Sequence, residues 1–241
     1  MLISLVVTTY NRPDALRAVL DGLGAQSDRD FEVRVADDGS RDDTRAVIAA
    51  YAASAPVPLE HLWQEDRGFR AGAARNRAAA GARGEYLVFI DGDCIPRPDF
   101  IARHRALAEP GWMVAGNRIL LSEDFTRRAL AERWPLHAWR RDFAAVNGFD
   151  EAYEGWGFED SDLAVRLFNA GIRRKEGAFA TGLLHLWHPE NDRRFEARNL
   201  ERLRARMASK DVRAAIGLAT NGFPPQEPKL YLSGQPLSTA V

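Results

Sequence analysis

The chain has 241 residues, enough for one substantial α/β domain or for one domain with a small appended lobe. Its hydrophobic fraction of 46% and charged fraction of 28% place it among ordinary soluble globular proteins. The net charge is −1, so the chain has no global basic field, and we expect no nucleic-acid partner.

The cysteine content and the apolar runs bear on the compartment. Cys94 is the single cysteine, which excludes an internal disulfide framework and fits a reducing compartment. The opening apolar run at residues 2–7 is too short and wrongly flanked for a signal peptide. No stretch approaches the ~18 apolar residues that a membrane span needs. We therefore expect a cytoplasmic protein, and we leave open a peripheral association with the inner face of the membrane.

Strand and helix signals alternate through the first half of the chain. A continuous apolar, β-branched run predicts a strand at residues 2–8, and further strands are predicted at 31–36, 59–64 and 86–90, the last of pure core character. Pro13 opens a predicted helix that reaches residue 23, and an Ala/Arg-rich stretch predicts a helix over 71–82. Ser40 and Asp43 resemble a capping pair that opens the helix between the second and third strands. This order predicts an α/β fold with a mostly parallel central sheet flanked by helices.

The second half of the chain is less regular. Its patterns predict a strand at 112–117 and helices at 98–108, 123–134, 158–169 and about 190–210. Gly171 stands where a glycine that ends a helix belongs. From residue 221 onward the chain is rich in Pro and Gly, which predicts an extended arm.

Polar clusters follow three of the predicted strands, at residues 8–11, 37–40 and 91–93. Ligands of parallel sheets bind beyond the carboxyl ends of the strands, so these clusters indicate one site. In the third cluster, Asp91 and Asp93 are carboxylates two residues apart, and such hard oxygen ligands suit Mg²⁺ or Mn²⁺. An Asp-Gly turn without a metal is the alternative for this segment.

The first two clusters have the side chains of a nucleotide site. Tyr10 can stack on a base, and Asp38 can accept hydrogen bonds from a base or a ribose. Arg70 and Arg75 suit bidentate contacts with phosphate or with a base carbonyl. Turn residues, cap residues and surface arginines are equally good interpretations of each motif alone. The first strand is followed neither by G-x-x-x-x-G-K-[ST] nor by G-x-G-x-x-G, which weakens ATPase-like and dinucleotide-binding interpretations.

The segment Gly155-Trp156-Gly157-Phe158-Glu159-Asp160-Ser161-Asp162 combines an exposed aromatic plate with acidic residues. Glycines around Trp156 permit close backbone approach, and such a plate is a common surface for sugar rings. The acidic residues lie in the first turn of a predicted helix, where the helix dipole favours negative charge. Asp162 is spaced to pair with Arg166 at i+4, which indicates a structural role. Following the tryptophan loop, this acidic cluster indicates a general base.

His185 and His188 lie near the end of a later apolar run. A histidine near a strand end can complete a metal shell that already holds a carboxylate such as Asp93. A core histidine with a satisfied ring is the alternative for either residue.

These residues, in this order, resemble the inverting family 2 glycosyltransferases of the GT-A fold, a Rossmann-like α/β arrangement with a smaller acceptor-side region. The similarity runs from Leu2 to about Asn199 and includes VVTTYNRP, VADDGSRDDT, GFRAGAARNRA, YLVFIDGDC and VNGFDEAYEGWGFEDSDLAVRLFNAG. The last segment, with HLWH behind it, resembles the subgroup that has a galactosyltransferase-type C-terminal segment.

The resemblance implies a role for each matched position. The implied nucleotide-binding residues are Thr8, Tyr10, Asn11, Asp38, Arg70, Arg75 and Asp91. The implied ligands for Mn²⁺ (or Mg²⁺) are Asp93, Asp91, His185 and His188, with Asp93 and His185 favoured. The implied catalytic base is Asp160, and the implied acceptor-binding residues are Trp156, Gly157 and Glu159.

The implied activity is transfer of a hexose or N-acetylhexosamine from a UDP-sugar to a hydroxyl of a glycan or glycoconjugate acceptor, with inversion. Residues 1–117 would form the nucleotide-sugar-binding half, residues 118–210 the acceptor-binding and catalytic half of the same domain, and residues 211–241 a C-terminal tail. Two other classes remain as alternatives. One is a non-catalytic nucleotide- or glycan-binding module. The other is a sugar-phosphate nucleotidyltransferase, which would need a glycine-rich basic loop that residues 8–13 lack.

The chain departs from this subgroup between residues 117 and 146. This stretch is shorter than expected, and Pro135-Leu136-His137-Ala138 replaces a small glycine/asparagine motif. Either the acceptor pocket is unusually open, or a mobile loop near Leu136 is absent from the printed chain. A longer natural sequence with extra residues at this point would support the second interpretation.

Overall fold

The computed structural model describes residues 1–116, 118–120, 136–177, 180–186, 188 and 192–222. The predicted helix at 123–134 lies outside the described residues. The same holds for the end of the strand at 112–117, for part of the start of the helix at 190–210, and for the arm beyond residue 222. Within the described ranges, no helix is long and apolar enough to cross a membrane.

Ten strands form two sheets in the described part of the chain. They are β1 (Ile3–Thr9), β2 (Phe31–Asp37), β3 (Leu59–Trp63), β4 (Tyr86–Asp91), β5 (Cys94–Pro96), β6 (Trp112–Ala115), β7 (Arg118–Leu120), β8 (Leu136–Trp139), β9 (Arg173–Glu176) and β10 (Leu183–His185). The central sheet has the order β3-β2-β1-β4-β8-β6-β9. Among its described strands, β8 alone runs antiparallel to its neighbours. The predicted mostly parallel sheet is therefore confirmed.

Helices cover both faces of the central sheet. They are α1 (Pro13–Gly24), α2 (Asp42–Ala52), α3 (Ala71–Ala80), α4 (Phe100–Leu107), α5 (Arg140–Ala145), α6 (Glu159–Asn169) and α7 (Glu196–Ala208). Alternate residues of β1 enter different cores: Leu5 packs with residues of α1, α2 and α4, whereas Val6 packs with residues of α3, α5 and α6. A strand with helices on both faces must be apolar throughout, which explains the continuous hydrophobic run at the N-terminus.

The second sheet is small and has the order β5-β10-β7. Its strand β5 begins three residues after β4 ends and pairs antiparallel with β10. The register places Cys94 opposite His185. This pairing brings the end of the chain's acidic motif next to a histidine about 90 residues further along.

The beginning of the predicted C-terminal tail packs against the domain. Ala214 and Leu218 are buried, and the Leu218 N–H donates to the Asn147 carbonyl over 2.9 Å. A short 3₁₀ helix follows at Leu218–Asn221. The first residues of the tail therefore belong to the core that surrounds α3.

Three local predictions differ from the structure. The helix predicted from about residue 190 begins at Glu196, and the described residues 192–195 lie outside it. Ser40 does not cap α2 through its side chain: the N-terminal flanking residue is Arg41, and α2 has no side-chain cap. The Ser40 hydroxyl instead accepts the Asn11 N–H over 2.9 Å, which ties two polar loops together. The helix predicted from residue 158 begins at Glu159, because Phe158 has a left-handed backbone with φ of 73°. Its end is as predicted, with Gly171 at φ of 82° just beyond it.

Asp162 is the centre of a buried charge network. Its carboxylate accepts hydrogen bonds from Arg166 Nε over 2.7 Å and from Arg206 Nε over 2.9 Å. The Asp162 and Arg166 side chains are both inaccessible to solvent. The structural role predicted from the i+4 spacing matches this geometry, and the network joins α6 to α7.

We expect Asp162→Ala to lower the free energy of unfolding by about 3–5 kcal/mol, because it leaves two guanidinium groups without their buried counter-charge. Chemical denaturation measures this loss. The matched control is Asp21→Ala, which breaks an i, i+4 pair with Arg17 that is more than half exposed on both sides. That control should cost no more than about 0.5 kcal/mol. Equal losses in the two variants would contradict a structural role for Asp162.

Candidate active site

The carboxyl ends of β1, β2 and β4 lie side by side at one edge of the central sheet. Parallel pairing places Thr9 opposite Asp37 and Thr8 opposite Asp91. The chain then turns at Gly92, whose N–H donates to the Thr8 carbonyl over 2.6 Å. A Cβ at Gly92 would lie 2.8 Å from that oxygen, so the turn requires glycine. The polar clusters that follow these strands therefore meet at this edge.

A cleft of about 580 Å³ opens at this edge. It is lined by most of the predicted site residues, namely Thr8, Tyr10, Asp38, Arg75, Asp91, Asp93, Trp156, Gly157, Glu159, Asp160 and His188. Among the described residues, Asn11, Arg70 and His185 were predicted for the site but do not line the cleft. The cleft therefore combines residues from the first strand ends with residues from the start of α6.

Arg75 connects the two sides of the cleft. Its Nε donates to the Thr8 hydroxyl over 3.0 Å, and its Nη2 donates to Asp91 Oδ1 over 2.9 Å. Its Nη1 contacts Glu159 Oε1 at 3.1 Å and Asp160 Oδ1 at 3.3 Å. The guanidinium also lies 5.2 Å from the ring centre of Phe149, which supports it from one side. One cation thus links Asp91 to two adjacent carboxylates, Glu159 and Asp160, that follow it by 68 and 69 residues in the chain.

The charges in this cluster shift one another's protonation. Burial opposes the charge of Arg75, but Asp160, Asp91 and Glu159 outweigh it and hold the pKa of the guanidinium above its ordinary value. Burial raises the pKa of the Glu159 carboxyl, and the neighbouring Asp160 raises it further, whereas Arg75 acts in the opposite direction. Glu159 is 9% exposed, whereas the Asp160 side chain is 45% exposed. Of the two acids at the start of α6, Asp160 is therefore the one that a molecule in the cleft can reach more freely.

Asp38 lies at the floor of the same cleft and is held by two donors. The backbone N–H of Arg70 donates to one carboxylate oxygen over 2.6 Å, and Gln64 Nε2 donates to the other over 2.7 Å. Burial raises the pKa of the Asp38 carboxyl, although these hydrogen bonds act in the opposite direction. Tyr10 is half-exposed at the rim, where its hydroxyl donates to Asp66 over 2.9 Å.

Asn11 and Arg70 do not line the cleft, but their hydrogen bonds hold the loops that do. Asn11 has a left-handed backbone with φ of 50°, and its side-chain oxygen accepts the Arg41 N–H over 2.9 Å. The Arg70 guanidinium donates to the Glu65 carbonyl over 2.5 Å. Arg70 therefore contributes its backbone N–H to Asp38 and directs its side chain to a neighbouring turn.

A group of possible metal ligands lies beside the cleft, where β5 pairs with β10. One ligand atom each from Asp93, Cys94 and His185 lies within 4.8 Å of the others. His185 Nε2 is 2.9 Å from Asp93 Oδ2, but this contact lacks hydrogen-bond geometry, and both ring nitrogens of the buried His185 have no hydrogen-bond partner in the described structure. His188 Nε2 lies 3.5 Å from the same Asp93 oxygen. A divalent cation would satisfy the unpartnered imidazole and the carboxylate together, so these residues fit one.

Asp91 has a different environment from Asp93. Its carboxylate faces the Arg75 guanidinium, and it is not a member of the group of ligand atoms formed by Asp93, Cys94 and His185. The two carboxylates of the acidic motif are therefore divided in this structure: one pairs with a cation of the protein, and the other lies with the histidines.

The Trp156 loop forms the opposite wall of the cleft. Gly155, Gly157 and Phe158 all have positive φ, at 70°, 109° and 73°. These left-handed residues surround Trp156, which is half-buried and lines the cleft. Arg193 lies over this ring, with its guanidinium carbon 4.9 Å from the ring centre.

Comparison with known proteins identifies the family. The sequence profile described as "Glycosyl transferase family 2" matches residues 4–170, which is more than half of the chain. The chain belongs to glycosyl transferase family 2. The family 2 match includes the strand ends, Arg75, the acidic motif and the start of α6, and it ends before β10 and α7.

Curated relatives agree with the family 2 assignment. The chain is 30% identical over 223 residues to a validoxylamine A glucosyltransferase of Streptomyces hygroscopicus subsp. jinggangensis, a match that covers 71% of this chain and 52% of the relative. It is 28% identical over 224 residues to the hyaluronan synthase of Pasteurella multocida, covering 70% of this chain and 23% of that protein. The chain thus spans about half the length of the first of these relatives and less of the second.

Two solved structures share the fold. A crystal structure of TarS 1-349 from S. aureus superimposes with a TM-score of 0.64 at 16% identity and covers 92% of this chain and 68% of that one. The mannosyltransferase PcManGT from Pyrobaculum calidifontis, in complex with GDP-Man and Mn²⁺, superimposes with a TM-score of 0.62 at 23% identity, covering 83% and 60%. The fold is therefore GT-A.

Several residues of the cleft were not indicated by the sequence patterns. Arg12, Phe69, Phe158 and Ser161 line it, Gln64 holds Asp38, and Cys94 joins the possible metal ligands. Cys94 could have been found from the pairing of β5 with β10, because facing residues of paired strands share one side of a sheet. However, the sequence of neither strand alone predicts that β5 pairs with β10.

Proposed function

We propose that this family 2 protein is an inverting, metal-dependent glycosyltransferase that moves a hexose or N-acetylhexosamine from a UDP-sugar to a glycan hydroxyl. The observation that carries the proposal is the position of Arg75, which contacts donor-side Asp91 and acceptor-side Asp160 across one cleft. A transferase must hold two substrates with their reacting atoms close together. The cleft meets this requirement, because the strand ends lie on one side of it and the Trp156 loop lies on the other.

The donor nucleotide binds at the strand ends in this proposal. Asp38 accepts from the base or ribose, Tyr10 stacks at the rim, Thr8 also holds the uridine, and Asp91 completes the nucleotide-binding set. Asn11 and Arg70 act indirectly by holding the loops that carry these groups. Structures of TarS contain UDP and UDP-GlcNAc, which supports uridine as the base. The GDP-Man complex of PcManGT makes guanosine the competing choice.

Asp93 and His185 hold Mn²⁺ or Mg²⁺ in this proposal, with His188 and Asp91 as further candidates. The support is the unpartnered, buried His185 ring beside the Asp93 carboxylate. The Mn²⁺ in the PcManGT structure agrees with a divalent cation in this fold. When bound, such an ion offsets the negative charge that grows on the departing nucleoside diphosphate.

The acceptor binds against Trp156, Gly157 and Glu159, and Asp160 removes the proton from its hydroxyl as that oxygen attacks the anomeric carbon. A single displacement from the opposite face inverts the anomeric centre. The exposure of Asp160 at the cleft and its place at the start of α6 support its role as base. The galactosyltransferase-type C-terminal segment and assembly of a polysaccharide on the cytoplasmic side of the membrane remain part of this proposal.

UDP should stabilise the purified protein in thermal shift experiments only when Mn²⁺ is present, because the diphosphate needs the cation at Asp93. A ligand at ~100 times its dissociation constant adds ~2.7 kcal/mol to stability, which such experiments detect readily. GDP, CMP and ADP serve as competing nucleotides, and EDTA replaces Mn²⁺ in a parallel series.

Asp93→Ala should abolish the stabilisation, whereas Asp21→Ala, a carboxylate on the exposed face of α1, should retain it. A larger shift with GDP would replace uridine by guanosine in the proposal. No response to any nucleotide would favour a non-catalytic glycan-binding module, and a response that ignores EDTA would remove the metal from the proposal.

A further inference from the structure

Helix α7 lies outside the family 2 match yet contacts the wall of the cleft. The loop that it contacts, residues 154–158, contains three residues with positive φ and carries Trp156. A loop of this kind has few regular backbone hydrogen bonds of its own. Its described backbone anchors on the cleft side include the Gly155 N–H, which donates to the Phe69 carbonyl over 3.2 Å.

Asn199 of α7 anchors the same loop from behind. Its side-chain amide nitrogen donates to the Glu154 carbonyl over 3.0 Å and, with a longer contact of 3.4 Å, to the Trp156 carbonyl. The Asn199 residue is completely buried, on a helix whose other described positions are mostly exposed. A primary amide has two N–H donors, which is the number needed to hold the carbonyls on both sides of Gly155.

Phe195, one turn earlier on the chain, completes the contact. A Cβ at Gly155 would come within 2.2 Å of Cδ2 of the Phe195 ring, so the glycine and the ring are closely packed. Phe195 and Asn199 of the same segment therefore both contact the loop, one through its ring at Gly155 and the other through its amide. The Asn199 amide fixes the direction of the Glu154 and Trp156 carbonyls. It thereby also fixes the backbone that carries the Trp156 side chain.

We propose that Asn199 is a positioning residue for acceptor binding: it holds the 154–158 loop so that Trp156 and Gly157 present a fixed surface to the acceptor sugar. This inference rests on the proposed function, because it assigns the loop to the acceptor. It adds α7 to the machinery of the site, although α7 places no described residue in the lining of the cleft.

Hydrogen exchange of the backbone amides at 155–158 tests the positioning directly and does not depend on any activity. Asn199→Leu keeps the branched, four-atom outline of the side chain but removes both donors, and Asn199→Ala serves as the second variant in case the larger leucine does not fit. Each should raise exchange in this loop by at least about tenfold, while α1 and β1 keep their protection. The control is Leu203→Ala, which removes a buried apolar side chain of α7 one turn further on.

Loop exchange that rises as much in Leu203→Ala as in the Asn199 variants would overturn the proposal, because the effect would then be a general loosening of α7. Unchanged exchange in both Asn199 variants would overturn it as well. These results are read independently of whether the wild-type protein binds UDP, so failure of the positioning role and failure of the proposed function are distinguishable.

Kinetics then test the link to the acceptor. UDP release from a UDP-sugar is measured with and without p-nitrophenyl glycosides as acceptor probes. Asn199→Leu should raise the acceptor KM about tenfold or more, leave the donor KM and the rate of donor hydrolysis by water nearly unchanged, and leave the UDP-induced thermal shift intact. A loss confined to the donor KM or to hydrolysis would contradict an acceptor-side role.

Discussion

Asp160→Asn is expected to lower kcat by about 10²–10⁴-fold, because the variant keeps the shape of the side chain but cannot accept the proton of the acceptor hydroxyl. The affinity for UDP and the thermal stability should stay close to those of the wild type. Asp160 makes one contact of 3.3 Å with Arg75 and is nearly half exposed, so the substitution removes little packing. Initial rates at saturating donor and acceptor measure the effect.

Glu159→Gln is the matched comparison, since Glu159 precedes Asp160 and contacts the same Nη1 of Arg75. It should mainly change the acceptor KM, because the buried Glu159 carboxyl is assigned to binding. If Asp160→Asn keeps most of kcat while Glu159→Gln loses it, the base is Glu159 and the assignment of Asp160 is wrong. Donor hydrolysis by water, which needs no proton transfer from a sugar hydroxyl, reports whether the donor site is intact in each variant.

The sequence predicts the first half of the fold well because its signals are local. β1 and β4 are mostly apolar runs, as expected for strands that are covered by helices on both faces. The helix ends are harder to predict, because they depend on the loops next to them. Phe158 fits a helical pattern, but its left-handed backbone, set by the loop before it, delays α6 until Glu159.

The candidate site is predictable only in part, for a physical reason. Residues that follow parallel strands meet at one edge, so Thr8, Asp38 and Asp91 could be grouped from the sequence. The bonds from Arg75 to Asp91, Glu159 and Asp160 could not, because they join positions up to 85 residues apart that only the folded chain brings together.

The sequence also does not predict which groups surround a given side chain. Two neighbouring carboxylates, Asp91 and Asp93, resemble a single metal motif, yet one faces Arg75 and the other faces His185. Ser40 has the spacing of a helix cap, but its hydroxyl instead accepts a hydrogen bond from the Asn11 N–H. In both cases a long-range partner competes with the local one, and it is the folded chain that decides between them.

Arg75→Met should be the most damaging single change for stability near the cleft. It removes a buried cation that faces Asp91, Glu159 and Asp160, and breaking such a buried pairing costs about 3–5 kcal/mol. Activity should fall as well, because the two sides of the cleft lose their common anchor. Arg77→Met on the same helix is the control: Arg77 is exposed and donates to the Trp63 carbonyl, so its loss should matter little.

The loss of unfolding free energy in Arg75→Met should grow as pH rises. The direction of this pH dependence follows from the pKa of Glu159. Its pKa lies above the ordinary value of 4.5 in the folded protein, because of burial and then Asp160, while Arg75 opposes the shift. Without Arg75 the pKa rises further, so the folded variant binds a proton more tightly than the unfolded chain does. Stability from this group is then fully present below pH 4.5 and is lost as pH rises through the raised pKa.

Denaturation of both proteins between pH 4 and pH 8 measures the difference directly. The free energy of unfolding of Arg75→Met should approach that of the wild type at the acidic end and fall away from it towards neutral pH. A deficit that is constant with pH would mean that Arg75 stabilises the fold by packing on Phe149 and Thr8 rather than by neutralising the carboxylates. The double variant Arg75→Met with Glu159→Gln separates these contributions, because a pH-dependent deficit should largely disappear when the buried carboxyl is removed.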